Sequence, residues 1–299
     1  MRVIVFGSII MDMVATCQRH PQVGETIIGK ELAYFPGGKG ANQAIASAKA
    51  GAETQLIGAV APDAFGKTLI SFIADQKVDI TNVASLPNNV TGAAVIIVNE
   101  QGENSIVVLP GSNSKATANP IIEQLDGPAV ALSQFEVPLP EIERLFNKVV
   151  KLGGITILNP SPYQFVSPSL LKECSYLIVN ETEFAQLLNG KVPKNAIDVR
   201  AHLSASTLAN DIIVTLGAGG FVMRYNNEFL EAEGHQVTAL DSTGAGDCFA
   251  GSFAAGLAQG QSPIDAAIYA NAAAALSVTK AGAGPSMPNP ADVKKILNV

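Results

Sequence analysis

Seven consecutive residues, Asp241, Ser242, Thr243, Gly244, Ala245, Gly246 and Asp247, set an acid at each end of a run of small residues that can bare their backbone N–H groups. That combination suits an anion cradle beside a base. Cys248 to Ala258 follow, small or apolar, free of proline and spaced for a helix. The N–H groups of Gly244 to Gly246 are therefore expected to point out of a helix N-terminus, an end that attracts phosphate. Asp247 falls in that first turn, where a carboxylate is stabilised and where it can take a proton from a hydroxyl entering the cradle. The same residues also read as a plain glycine-rich turn in which Asp247 only serves the helix end.

A second cluster, Gly37, Gly38, Lys39, Gly40, Ala41 and Asn42, leads into a helical pattern from Ala41 to about Ala50, with Gly51 placed to end it. Its glycines allow a backbone approach that side chains would block. Lys39 can neutralise an anion, and Asn42 can both donate to and accept from a hydroxyl. This is not a Walker A loop, whose lysine ends a longer glycine spacing and precedes Ser or Thr. A tight strand-to-helix turn is the structural alternative. Asp12 stands among Ile9, Ile10, Met11, Met13 and Val14, either as a third member of the constellation or as the outward face of a lid strand.

Short apolar, β-branched runs alternate with helical patterns along the chain: Val3 to Phe6, Ala41 to Ala50, Thr54 to Val60, Ala64 to Asp75. That is the signature of βα units. Further strands are expected at Ala129 to Leu132, Ile155 to Leu158, Tyr176 to Val179 and Ile212 to Leu216, and Ser262 with Pro263 opens an alanine-rich helix reaching about Thr279. Residues 8–36, broken by Pro21, Gly24 and Gly29, and residues 91–110, with strand-like Ala93 to Val98 and Ser105 to Leu109, form two insertions able to pair into a small lid sheet. Successive strands end on polar or glycine positions: Glu136 soon after Leu132, Asn159 after Leu158, Asn180 after Val179, and Thr215 with Gly217. In an open parallel sheet, ligands bind beyond such carboxyl ends. Glu136, between Phe135 and Val137, reads as a site acid or as a solvated turn.

The chain has 299 residues and a formal net charge of −7. Without a dense Lys/Arg cluster, that balance argues against a nucleic-acid or anionic-membrane partner, so an anionic ligand must be held locally by backbone and metal. Cys17, Cys174 and Cys248 are few, odd in number and far apart, which fits a reducing cytoplasm better than a disulfide framework. No signal-peptide pattern or membrane-spanning run is read from the sequence, and a cytoplasmic protein is expected.

Gly37 to Asn42 continued by Gln43 and Ala44, together with Asp241 to Asp247, resembles the paired signatures of the ribokinase family, also called phosphofructokinase B type carbohydrate kinases. The likeness extends through Gly24, Glu25 and Thr26, Asn180 to Glu183, the Thr215, Leu216, Gly217 turn, the Asn159, Pro160 pair and Gly282 to Ser286. It implies a three-layer α/β/α domain over residues 1–299, with a mostly parallel central sheet and a small β-sheet lid at about 8–36 and 91–110. It also implies an ATP-dependent kinase acting on the C5 hydroxyl of a pentose, ribose or 2-deoxyribose. By similarity, Asp247 is the general base, and Gly244, Ala245, Gly246 and Asp247 supply the anion hole. Asp12, Gly38, Lys39, Asn42 and Glu136 match the family's sugar positions. Asn180, Thr215, Gly217, Gly220 and Asn271 match its nucleotide side. Glu183 matches an acid associated with Mg²⁺. Asp241, Thr243, Ser277, Lys280, Gly282 and Ser286 match positions holding a monovalent cation such as K⁺, largely through backbone carbonyls; ordinary loop structure is the alternative. The family's lid also implies a homodimer, with which the apolar strand around Ile9 to Val14 is compatible.

The sequence departs from the family at Ile10, where typical members carry an Asn that helps to bind the sugar. An apolar residue there suits a sugar lacking a hydroxyl, such as 2-deoxyribose; alternatively, Ile10 packs in the lid hinge. An apolar pocket rejects an added hydroxyl by only about a hundredfold, so ribose is not excluded. Three other readings stand beside the pentose kinase. A nucleoside or hexose kinase shares the base and anion hole, and a sugar sensor on the same fold is disfavoured by the intact Asp247. A nicotinamide-dependent dehydrogenase is suggested by Gly217, Gly219 and Gly220, but these come late and lack a first-strand fingerprint.

Overall fold

The computed structural model describes residues 1–298. The first part of the chain forms β1 (Val3–Phe6), β2 (Ile10–Thr16), β3 (Glu31–Gly37), β4 (Thr54–Val60), β5 (Val83–Ser85), β6 (Gly92–Val98) and β7 (Asn104–Leu109). Strands β8 (Val130–Gln134), β9 (Ile155–Asn159), β10 (Tyr176–Asn180), β11 (Asp211–Thr215), β12 (Phe221–Tyr225) and β13 (Glu228–Ala232) follow. Among the described residues they make a nine-stranded sheet, β13-β12-β11-β10-β9-β8-β1-β4-β5, and a four-stranded sheet, β3-β2-β6-β7. Pairing in the large sheet is parallel from β5 to β11 and antiparallel only at β12 and β13. In the small sheet only the β2–β6 pair is parallel.

Strand side chains alternate faces, so a strand buried on both sides reads as a continuous apolar run. Val3 and Val5 join a core with Ala44 and Ile45 of helix Lys39–Lys49 and Phe249 and Phe253 of helix Ala245–Ala258. Ile4 and Phe6 join a second core with Ile142, Leu145 and Phe146 of helix Leu139–Lys151. Each such side chain removed from water contributes roughly 1.5–3 kcal/mol. The outcome is the expected three-layer α/β/α fold with a mostly parallel central sheet and a small accessory sheet.

The residues read as insertions supply the small sheet, with β2 and β3 from 8–36 and β6 and β7 from 91–110. Glycine opens the helix at both chemical motifs. The first helix begins at Lys39 rather than Ala41, since Gly38, at φ 94°, forms its N-cap. The second begins at Ala245, behind Gly244 in the left-handed region at φ 79°, which puts Asp247 in its first turn as expected. The alanine-rich helix starts as read, with Ser262 accepting from the Asp265 N–H and Pro263 at the first helical position. Among the described residues no helix is long and apolar enough to cross a membrane.

Candidate active site

β1 lies between β8 and β4, and the chain leaves it in opposite directions on its two sides, which makes the carboxyl end of β1 a topological switch point. Both motifs converge there. A side chain at Gly244 would sit 2.7 Å from the Ala283 Cβ, so the left-handed cap that aims the helix start is open only to glycine. Of the N–H groups expected to face outward, that of Ala245 instead donates to the Ser242 carbonyl at 3.2 Å, closing the turn. Those of Gly244, Gly246 and Asp247 have no protein partner among the described residues and remain as donors.

Asp247 is buried, and helix Lys39–Lys49 reaches both of its oxygens. Asn42 Nδ2 donates to Oδ2 at 3.0 Å, and Gln43 Nε2 donates to Oδ1 at 2.9 Å. The Asn42 amide oxygen, also buried, has no hydrogen-bond partner in the protein. An orphaned acceptor beside a buried carboxylate is costly unless a ligand donates to it, which fits a hydroxyl.

Ser8 follows β1, and its hydroxyl donates to Glu136 beyond β8. The Lys39 N–H also reaches that carboxylate, at 3.4 Å. Burial pushes the Glu136 carboxyl above its ordinary range, against the opposing pull of Lys39 and Ser8. Burial lowers the pKa of the Lys39 ammonium, but the carboxylates of Asp247, Glu136 and Glu183 more than reverse this and leave it raised. Asp12, on β2, lies over Gly37, where any side chain would meet its carboxylate. Burial first, then Glu136 and Asp247, raises Asp12 from 3.8 to about 7. Asp12 thus faces the site rather than solvent. Ile10, two residues earlier on the same face of β2, is 3% exposed.

A cavity of about 180 Å³ lined by Lys39, Glu183, Gly244, Ala245, Gly246 and Asp247 adjoins one of about 500 Å³, the two sharing Asn180, Thr215, Ser242, Ala245 and Gly246. The larger one is also lined by Gly217, Gly220 and Asn271, bringing the expected nucleotide-side residues together. Asn271 is held by the Glu233 carbonyl at 2.9 Å. Asn180 and Glu183 form a reciprocal capping box on helix Glu181–Leu187, so one Glu183 oxygen is committed to the Asn180 N–H. Gly217–Gly219 form a 3-10 turn between antiparallel β11 and β12. They are not the strand-to-helix turn of a dinucleotide fingerprint, and the dehydrogenase reading falls on that geometry.

Asp241 ties two loops together, accepting from the N–H groups of Thr243 and Gly282, each at 2.9 Å. Burial alone raises its carboxyl, and these bonds more than reverse that, leaving it below its ordinary value. Both carboxylate oxygens are occupied, and the Ser277 and Ser286 hydroxyls donate to Ala274 and Ala283 carbonyls. Lys280 is exposed. Backbone carbonyls are what these loops can offer a cation. Among the described residues no group of three or more His, Cys, Asp or Glu side chains gathers as a metal cage.

Sequence reading gave no role to Ser8, Gln134, Gly251, or the 234–239 stretch that lines the larger cavity with His235, Gln236 and Val237. That stretch is irregular and carries no periodicity to read. Gln43 was visible only as part of its motif, although two consecutive amides at the head of an alanine-rich helix were a signal.

The family model "pfkB family carbohydrate kinase" matches residues 1–290. The ribokinase of Haemophilus influenzae is 34% identical over 302 residues, covering 98% of this chain and 97% of that protein. The deoxyribokinase of Salmonella typhi is 30% identical, with 97% and 96% covered. The structure of Arabidopsis thaliana ribokinase complexed with ribose and ATP superposes with a TM-score of 0.91 at 29% identity, covering 100% of this chain and 99% of that one.

Proposed function

This chain belongs to the pfkB family of carbohydrate kinases, and from that premise we propose that it transfers the γ-phosphoryl group of ATP to the C5 hydroxyl of ribose or 2-deoxyribose. One observation carries the reading: a buried carboxylate at a helix N-terminus, next to an orphaned Asn42 acceptor, at the junction of two adjoining cavities. The sugar sits under Asp12, Gly38, Lys39, Asn42 and Glu136, and ATP occupies the larger cavity with its phosphates toward Gly244. Asp247 takes the C5 hydroxyl proton as the oxygen–phosphorus bond forms and the bond from the γ-phosphorus to the β–γ bridging oxygen breaks. The free N–H groups of Gly244, Gly246 and Asp247 stabilise the charge on the transferring group, while Ala245 holds the turn. Mg²⁺ supplies charge neutralisation on the phosphates when bound. Glu183, as a lone carboxylate facing the small cavity, suits an ion that takes its other ligands from phosphate and water. K⁺ fits the carbonyls of the loops joined by Asp241.

Purified protein offered ATP with ribose, 2-deoxyribose, fructose and nucleosides should give a pentose 5-phosphate by ³¹P NMR. Failure on both pentoses overturns the proposal. The free sugar is favoured over a nucleoside by the compact polar cluster around Asp12 and Glu136.

Asp12 adds a pH dependence. Its carboxyl is raised to about 7, and the ionised form is the better acceptor for sugar hydroxyls. Sugar affinity therefore improves as pH rises through 7 and falls below it. KM for the sugar should decrease between about pH 6 and 8 in the unmodified enzyme, and Asp12→Asn should flatten that trend. A flat profile in the unmodified enzyme contradicts the assignment.

The four-stranded sheet serves as the lid, excluding water from the phosphoryl group. Its exposed apolar residues lie on the edge strands, with Leu32 and Tyr34 on β3 and Ile106, Val107, Val108 and Leu109 on β7, rather than on β2, whose Ile10 and Met11 are buried. Val107 is 60% exposed and Leu32 55%. Leu32, Tyr34, Val107 and Leu109 share one face of the sheet and Ile106 and Val108 the other, and such uncovered edge strands suit a second copy of this chain. Val107→Asp should convert a dimer to a monomer in analytical ultracentrifugation; a monomeric unmodified protein overturns this.

A further inference from the structure

We propose that Gln43 is a positioning residue for the base, the last link of a buried amide chain that anchors Asp247 to the carboxyl ends of three parallel strands. The inference rests on the kinase reading with Asp247 as base. The chain starts at the Ile178 carbonyl on β10, which accepts from Asn159 Nδ2 at 2.9 Å. Asn159, closing β9, accepts through Oδ1 from Gln43 Nε2 at 3.2 Å. The same Nε2 group donates to Asp247 Oδ1 at 2.9 Å. Gln134, closing β8, donates to the Gln43 Oε1. Gln43 and Gln134 are 0% exposed.

The chain has one consistent direction. A primary amide has two donor hydrogens on nitrogen and only acceptors on oxygen. Gln43 spends one hydrogen on Asn159 and the other on Asp247, and the Gln134 donor on Oε1 keeps the amide from turning its oxygen toward the carboxylate. Gln134 does this while its own Oε1 stays unpartnered and buried, so its orientation is set by the donation. Asp247 is thereby held through Oδ1, leaving Oδ2, shared with Asn42, as the oxygen free to receive a proton beside the orphaned Asn42 acceptor.

A second feature serves this contact. Gly251 lies one turn beyond Asp247, and a Cβ there would sit 2.2 Å from the Gln43 carbonyl oxygen and 2.7 Å from the Ala46 Cβ. The two helices can approach closely enough for Gln43 to reach Asp247 only because that position is bare. Gly251→Ala should displace Gln43 without removing any polar group, and so copy its loss in part.

The test is a double-mutant cycle. Gln43→Met should lower kcat about tenfold, the loss expected for one hydrogen bond to a charged group, while the Kd for ATP measured by calorimetry stays unchanged. Gln43→Glu, which sets a like charge against Asp247, should lower kcat further. In an Asp247→Asn background Gln43→Met should cost nothing more. An equal loss in both backgrounds, or a kcat for Gln43→Glu at or above that of Gln43→Met, overturns the proposal. Should the Met variant not fold, Gln43→Glu, which keeps the volume and the acceptor for Gln134, provides the same cycle. Full turnover by Asp247→Asn would instead sink the reading of Asp247 as base, a result separable from failure of the cycle.

Discussion

Asp247→Asn is expected to lower kcat about 10²- to 10⁴-fold, the range that loss of a general base costs, with ATP binding intact. The substitution keeps the volume and removes the group able to hold the hydroxyl proton. It also sets an amide against the two donors, Asn42 Nδ2 and Gln43 Nε2, that the carboxylate accepts from. One of those donors loses its partner, so part of the effect is misorientation. The larger cavity is lined by Asn180, Thr215, Gly217 and Asn271 on other elements and should bind ATP as before. Single-turnover rates with saturating ATP and sugar give the loss in the chemical step. Undiminished turnover would remove Asp247 from the mechanism and leave the anion hole as the helix end's whole contribution.

Ile10→Asn should raise the ratio of kcat/KM for ribose over 2-deoxyribose about a hundredfold. Ile10 is nearly fully buried, paired with Gly37 on β3 and Gly92 on β6, and shares the Asp12 face of β2. On the proposed sugar placement, the apolar side chain leaves one ribose hydroxyl unpartnered, which limits discrimination. An asparagine reverses the asymmetry. Ribose can satisfy its amide, whereas 2-deoxyribose leaves a buried amide unpaired at about 1–3 kcal/mol, and sites built to bond a hydroxyl reject the analogue lacking it most strongly. Competition of the two sugars, followed by mass spectrometry of the phosphorylated products, measures the ratio directly. No change in the ratio would assign Ile10 to packing at the lid root.

The site was legible to the extent that its chemistry is local. Gly244 declares its left-handed cap, and Asp247 three residues later is in the first turn by arithmetic alone. The lid was legible as two strand-like insertions, but not its order, because the parallel pairing of β2 with β6 joins segments separated by the helices and strands between them. The exposed apolar residues proved to lie on the two edge strands, β3 and β7, since what covers a strand depends on what packs against it. The loops of the expected cation site were read from likeness, and their joining through Asp241 to Gly282 spans 41 residues.

By itself the sequence determined the βα alternation, the two glycine-cradled helix starts, the acids at Asp12, Glu136 and Asp247, and the substitution at Ile10. These follow from periodicity, from the few residues that tolerate special backbone angles, and from side-chain chemistry, all carried within a few positions of each other. Only the tertiary structure decided that Asp12 faces inward with its carboxyl raised by burial and neighbouring acids, that Glu183 spends one oxygen on a helix cap, and that Gln43, 204 residues from Asp247, donates to its carboxylate. A raised carboxyl needs burial beside other acids, and a hydrogen bond between two helices needs the bare Gly251 that lets them meet. Neither is a property of any one stretch of chain.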